Sequence, residues 1–423
     1  MSVYLHNWSG HHTFSTSRVH APESVAELQD IVRRSRKIKV LGARHSFNDI
    51  ADSTEDLITL DKLDPTITID PEARTVTAHA GITYGSLCQQ LHAAGYAIHN
   101  MASLPHITVA GAIATATHGS GDNNGNLATA VAAIELVKAD GELVTLSRTQ
   151  NKEDFEGAVV GLGGVGVMAR VTLDIVPAFS MQQEVYEYLP VAELENNFDA
   201  ITASAYSVSF FTDWKKDRVN QVWLKRRLVD DKALDVAPTF YGATLAAAQV
   251  HPVSTLDAAP CTDQRGIVGP WYERLPHFRI DHTPASGNEL QTEYFVARHH
   301  AIDAMREIAK LAPMFASTLW ISEIRTVAAD TLWMSPSYQQ PVVGLHFSWL
   351  KNWESVQKVL PVLEEALAPF QARPHWGKLF AMPPAVLQSR YPRMADFRDL
   401  LQRYDPTGKF RNPYLDKYIF GVG

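Results

Sequence analysis

Gly161-Leu162-Gly163-Gly164-Val165-Gly166 satisfies the spacing G-x-G-x-x-G, and its neighbours decide which fold it belongs to. The dinucleotide-binding use of that spacing needs a strand before it and a helix after it, so that a pyrophosphate meets a helix N-terminus. Here the order is reversed. Asp154 to Val160 reads as a helix ahead of the glycines. Beyond them Val167, Ala169, Val171, Leu173 and Ile175 alternate with other residues as a strand requires, and Pro177 ends the run. A nicotinamide-binding fold of the usual kind is therefore excluded. The glycines make either a tight connection or a place where backbone approaches a cofactor.

Working upstream, helix and strand alternate. Asp140-Gly141 tolerates positive φ and joins the strands Ala133 to Val137 and Glu142 to Leu146 as a hairpin. Tyr84, Leu87 and Leu91 mark a helix stopped near Gly95. Lys37 to Leu41 is a short strand running into Gly42-Ala43-Arg44-His45-Ser46. Ser24-Val25-Ala26-Glu27 is a capping box, followed by the helical stripe Val25, Leu28, Ile31 and Val32. Downstream the pattern changes near residue 178. Strands are expected over Tyr206 to Trp214 and Gln221 to Lys225, irregular chain over 229–288, and a helix over Glu354 to Leu367. The last fifty residues return to loops and short helices.

Composition bounds the function. With 46% of 423 residues in the hydrophobic class, the chain can bury more than one core. Lys and Arg total 38 against 46 Asp and Glu, a formal charge of −8, so neither nucleic acid nor an anionic membrane is an expected partner. Cys88 and Cys261 form no disulfide framework and no metal-ligand spacing, and are expected to be reduced structural thiols. The segment Met1 to Trp8 has no basic stretch followed by an apolar one, so no secretory leader is expected. No run approaches the ~20 apolar residues of a membrane span. A cytoplasmic protein is the expectation; the sequence does not set the oligomeric state, and a monomer is compatible with it. His11-His12 and His299-His300 are not helical ligand pairs, so no metal site is expected.

Two further stretches bear on chemistry. Residues 101–121 are mostly small, with hydroxyls at Ser103, Thr108, Thr115, Thr117 and Ser120. Such a segment leaves room for a ligand against backbone, although close-packed loops use the same residues. In the Gly42–Ser46 loop, backbone N–H groups can converge on an anion beside His45.

Together these stretches resemble the vanillyl-alcohol oxidase superfamily. Leu41-Gly42-Ala43-Arg44-His45-Ser46-Phe47-Asn48 looks like its flavin-attachment loop. Met101-Ala102-Ser103-Leu104-Pro105-His106, Ala116-Thr117-His118-Gly119-Ser120-Gly121, the Gly161–Gly166 loop and Asp405-Pro406-Thr407-Gly408-Lys409-Phe410-Arg411-Asn412 follow in the family's order. Within it the resemblance is to bacterial alditol oxidases, through Glu323-Ile324-Arg325-Thr326-Val327-Ala328-Ala329-Asp330 and Arg373-Pro374-His375-Trp376-Gly377-Lys378. The implied fold is α+β: an FAD-binding domain over residues 1–178, completed by 372–423, and a β-sheet-based substrate domain over 179–371.

The resemblance also implies a site. FAD would be joined covalently to His45. Gly42, Ala43, Arg44 and Ser46 would hold it, with Ser103, Gly111, Thr115, His118, Gly119, Gly166 and His375. No cysteine near the small-residue segment supports a second attachment. The substrate pocket would be Ser103, Glu323, Arg325, His346, Ser348 and Lys378, with Arg325, Lys378 and Glu323 as the catalytic set. The pattern agrees: Glu323 and Arg325 share one strand face with Leu319, Ile321 and Val327, and His346 and Ser348 share another opposite Val343, Leu345, Phe347 and Trp349. The implied reaction oxidises the terminal hydroxyl of a polyol such as xylitol or sorbitol to the aldose, with oxygen reduced to hydrogen peroxide. A sugar-1,4-lactone oxidase or dehydrogenase of the aldonolactone type is the alternative. A flavin- or carbohydrate-binding protein without turnover is the alternative of another class.

Overall fold

The computed structural model describes residues 5–215, 217–282 and 287–422; part of the N-terminal segment and residues 283–286 of the irregular stretch lie outside them. Ser24 caps the helix Val25–Arg34 by accepting from the Glu27 N–H, and Leu28, Ile31 and Val32 are its buried stripe. Glu27 reaches back one residue further than the motif predicts, to the Glu23 N–H at 2.9 Å. The strand Ile38–Leu41 then pairs in parallel with Asp56–Thr59, which also pairs with Val19–His20.

A second, five-stranded antiparallel sheet runs in the order Thr68–Asp70, Thr75–His79, Val167–Asp174, Val131–Val137, Leu143–Ser147. The Asp140-Gly141 hairpin is present, with Gly141 at φ +81°. The helix Lys152–Ala158 precedes the glycine loop and the strand Val167–Asp174 follows it, the order that excludes the nicotinamide fold. The alternating run ends at Asp174, ahead of Pro177. Val176–Pro177 pairs antiparallel with Tyr96–Ala97, a two-residue ladder short enough to tolerate the missing proline N–H.

The largest sheet is antiparallel and ten-stranded. Its central order is Ser180–Pro190, Arg218–Arg227, Ser207–Thr212, Leu319–Val327, Val342–Leu350, Glu289–Ala297. One face carries Phe210, Val222, Leu224, Ile324, Leu345 and Phe347 against helices contributing Ile201, Ile308, Leu360 and Leu363. The helix expected over Glu354 to Leu367 is Trp353–Leu367. The other face of the sheet is polar at its centre and looks onto a cavity.

The C-terminal return packs back on the beginning of the chain. Asn412 Nδ2 donates to the carbonyls of Asp49, Ile50 and Asp52, and Lys409 Nζ to that of Ala139. Buried Lys39 ties three segments together, its Nζ reaching the carbonyls of Gly163 (2.9 Å), Phe410 (3.3 Å) and Leu162 (3.4 Å). Burial pushes the Lys39 pKa down to about 7. Both cysteines are buried and free.

Candidate active site

At one end of the cavity lies the loop after Ile38–Leu41. Arg44 takes φ +59°, a left-handed turn that aims the next residue inward. Phe47 N–H bonds the Gly377 carbonyl at 2.7 Å, and Asn48 Nδ2 bonds those of Trp376 and Lys378, so this loop and the 375–378 loop are fixed to each other. The Trp8 ring stacks on His45 with centroids 5.3 Å apart. Both ring nitrogens of His45 are buried without a well-formed hydrogen bond. Burial pushes its pKa down to about 4, so the imidazole is neutral at working pH.

The small-residue segment supplies the next wall. Thr108 precedes the short helix Val109–Ala114, and a Cβ at Gly42 would collide with its hydroxyl, while one at Gly111 would lie 2.9 Å from it. These two glycines keep backbone bare where the cavity passes. Thr115 Oγ1 donates to the Gly111 carbonyl at 3.0 Å.

At the other end, three neighbouring strands put polar residues side by side. In register across the sheet stand Glu323, His346 and Glu293, then Ile321, Ser348 and Gln291, then Arg325, Gly344 and Phe295. Lys378 enters from its loop, and His118 and Ser103 from the small-residue segment. Arg325 NH2 lies 3.0 Å from Glu293 Oε1, its Nε 3.5 Å from Glu323 Oε1, and its NH1 3.4 Å from Ser103 Oγ. Lys378 Nζ donates to Glu293 Oε2 at 2.7 Å. His277 Nε2 meets Glu323 Oε1 at 2.7 Å. Burial opposes ionisation of Glu323, but Arg325 and then His277 hold its carboxyl well below the usual range. Burial lowers the Lys378 pKa, with Glu293 opposing and Arg325 reinforcing. His346 is pushed down to about 3, by burial and then by Lys378.

The cavity measures about 340 Å³ and brings the expected residues together. Gly42, Ala43, Arg44, His45, Ser46, Ser103, Gly111, Thr115, His118, Gly166, His375, Glu323, Arg325, His346, Ser348 and Lys378 all line it. Gly119 does not. It borders a small cleft behind Arg325 instead, where a Cβ would strike the Met101 carbonyl. Leu319 is also off the expected face: the register slips between Leu319 and Ile321, and this bulge turns Leu319 into the helix-side core. Sequence reasoning missed Glu293 and His277. Glu289, Gln291 and Glu293 alternate with Leu290, Thr292 and Tyr294, the same period-two signal that singled out Glu323 and Arg325. His277 sits in irregular chain and gives no such signal.

Residues 16–147 match the family model of the FAD binding domain, and residues 286–418 that of D-arabinono-1,4-lactone oxidase. The chain is 46% identical to an alditol oxidase of Streptomyces sp. (strain IKD472 / FERM P-14339), over all of both chains. It is 26% identical to L-gulonolactone oxidase of Mus musculus, over 99% of this chain and 98% of that one. Among solved structures, cholesterol oxidase from B. sterolicum superposes with a TM-score of 0.77 at 14% identity, covering 98% of this chain and 96% of that one. A solvent-stable cholesterol oxidase gives 0.78 at 16%, covering 98% and 97%. That likeness shows the two-domain α+β FAD-binding fold. The neutral His45, which makes no well-formed hydrogen bond, and the bare backbone at Gly42 and Gly111 fit such a cofactor. The chain belongs to the alditol oxidase family of FAD-dependent oxidoreductases, within the vanillyl-alcohol oxidase superfamily.

Proposed function

We propose that this protein oxidises the terminal primary hydroxyl of an alditol, such as xylitol or sorbitol, to the aldose, using FAD attached through His45. The observation that carries the reading is the cluster of Glu323, Arg325, His346, Ser348 and Lys378 on one wall of the cavity that His45 also lines. When bound, FAD supplies the two-electron acceptor and passes the electrons to oxygen, giving hydrogen peroxide. Lys378 in its neutral form takes the proton as the substrate O–H bond breaks, a step its lowered pKa favours. Arg325 donates to the oxygen on which negative charge develops, and Glu323 keeps the guanidinium in place. Ser103, His346 and Ser348 hydrogen-bond further hydroxyls, so an analogue lacking them leaves buried groups unpaired. Neutral His45 has a free lone pair, the form in which it would serve as the attachment residue for FAD.

In this reading residues 1–178 and 372–423 form the FAD-binding domain and 179–371 the substrate domain. The C-terminal contacts to Asp49, Ile50 and Ala139 support that division. A reducing, cytoplasmic setting suits the two buried free thiols.

The match of residues 286–418 to the arabinonolactone oxidase model favours a second reading, oxidation of a sugar-1,4-lactone. Anaerobic stopped-flow mixing separates the two. Xylitol and sorbitol are expected to bleach the flavin at least tenfold faster than gulono- or galactonolactone. The reverse order would establish the lactone reading, and no bleaching by any of them would remove the catalytic one.

A further inference from the structure

Glu293 belongs to neither the sequence-expected cofactor set nor the substrate set, yet three site residues converge on it. Its side chain is fully buried. Oε2 accepts from Lys378 at 2.7 Å; Oε1 accepts from Arg325 at 3.0 Å and lies 3.1 Å from His118 Nε2. Room for this comes from Gly344, whose Cβ would lie 3.1 Å from Glu293 Oε1 and 3.4 Å from His118. We propose that Glu293 is the positioning residue of the site: it holds Lys378 and Arg325 in place, and its charge sets the pH at which Lys378 gives up its proton.

The argument is one of charge balance. Lys378 is faced by Glu293 and Glu289 from one strand, by Arg325 and Glu323 from another, by His346 from the strand between, and by His375 on its own loop. Burial keeps the histidines neutral. Glu293 and Glu323 then balance Arg325 and a protonated Lys378. Loss of the lysine proton leaves a net negative charge in a buried place, which Glu293 therefore resists. With glutamine at 293 one negative charge is gone from beside Lys378, and its neutral form gains relative to the protonated one. Glu289 is present in both cases and cancels from the comparison.

The inference rests on the proposed function only in giving Lys378 a proton to accept. Its test reads Lys378 directly, by competitive acetylation of the flavin-loaded enzyme with acetic anhydride across pH and peptide mass spectrometry. In Glu293→Gln the Lys378 labelling midpoint is expected to fall by about one pH unit or more, the size of effect a charge at this distance produces. Glu293→Asp, which keeps the charge but withdraws it, is expected to fall between the two. A Glu293→Gln midpoint within about 0.3 units of wild type overturns the proposal; if that variant does not fold, an unmoved midpoint in Glu293→Asp does the same. The acidic limb of kcat/KM for xylitol should follow the labelling midpoint downwards. A midpoint that moves while the limb stays supports the role of Glu293 and removes Lys378 as the base.

Discussion

At the scale of single residues, two side chains carry sharp expectations. The buried His45 imidazole makes no well-formed hydrogen bond at either ring nitrogen, which leaves it free for a cofactor bond. Acid precipitation is therefore expected to leave the yellow colour in the pellet of the wild type and in the supernatant of His45→Ala. Colour released from both would remove the covalent link. Lys378→Met is expected to slow polyol turnover by about 100-fold or more, the usual worth of general acid–base catalysis, and a loss under tenfold would leave no proton-transfer role. His45 and Lys378 were legible in the sequence because each lies in a motif of consecutive residues. Glu293 was not, because its partners lie 32, 85 and 175 positions away in the chain.

At the scale of elements, period-two alternation located the site strands, and register completed them. Alternation placed Glu323 with Arg325 and His346 with Ser348. Only pairing shows that Glu323, His346 and Glu293 form one row across three strands. The bulge at Trp320 was invisible for the same reason, since an extra residue in one strand is defined by the partner it lacks. Gly344 is the element-level counterpart of Glu293: its neighbours Glu293 and His118 are both buried and bonded, so neither can retreat from a new methyl group. Gly344→Ala is expected to retain fold and flavin while losing about ten- to a hundredfold in kcat/KM, as misplacement near the reacting atoms does. Circular dichroism and flavin absorbance check the first part and steady-state kinetics the second. Wild-type kinetics would show that the row tolerates displacement.

At the scale of the whole molecule, the net charge of −8 says little about the interior, where the site balances its own charges. The consequence is a stability that depends on pH in a defined direction. Burial, then the positive charge of Lys225, pushes the pKa of His277 down to about 4; burial, then Lys378, pushes that of His346 to about 3. The unfolded chain binds these protons near pH 6.5. Between that value and the folded pKa values, the unfolded state holds more protons, so stability is complete above 6.5 and is lost as pH falls. Each such histidine costs roughly 1.4 kcal/mol per pH unit across its window. Glu323 and Glu293, both depressed, add nothing until pH falls below the ordinary carboxylate range, so the two effects are separable. Lys39, brought down to about 7, carries the same trend above neutrality. The unfolding free energy of the flavin-loaded enzyme in urea is therefore expected to be lower at pH 5 than at pH 7.5, with His277 and His346 together contributing about 3–4 kcal/mol and the lowered His118 and His375 adding in the same direction. His277→Gln should reduce that difference by about 2 kcal/mol, the share of its own proton. A flat profile from pH 7.5 to 5 would mean that these imidazoles are charged in the native state, and the charge balance around Lys378 would then have to include them.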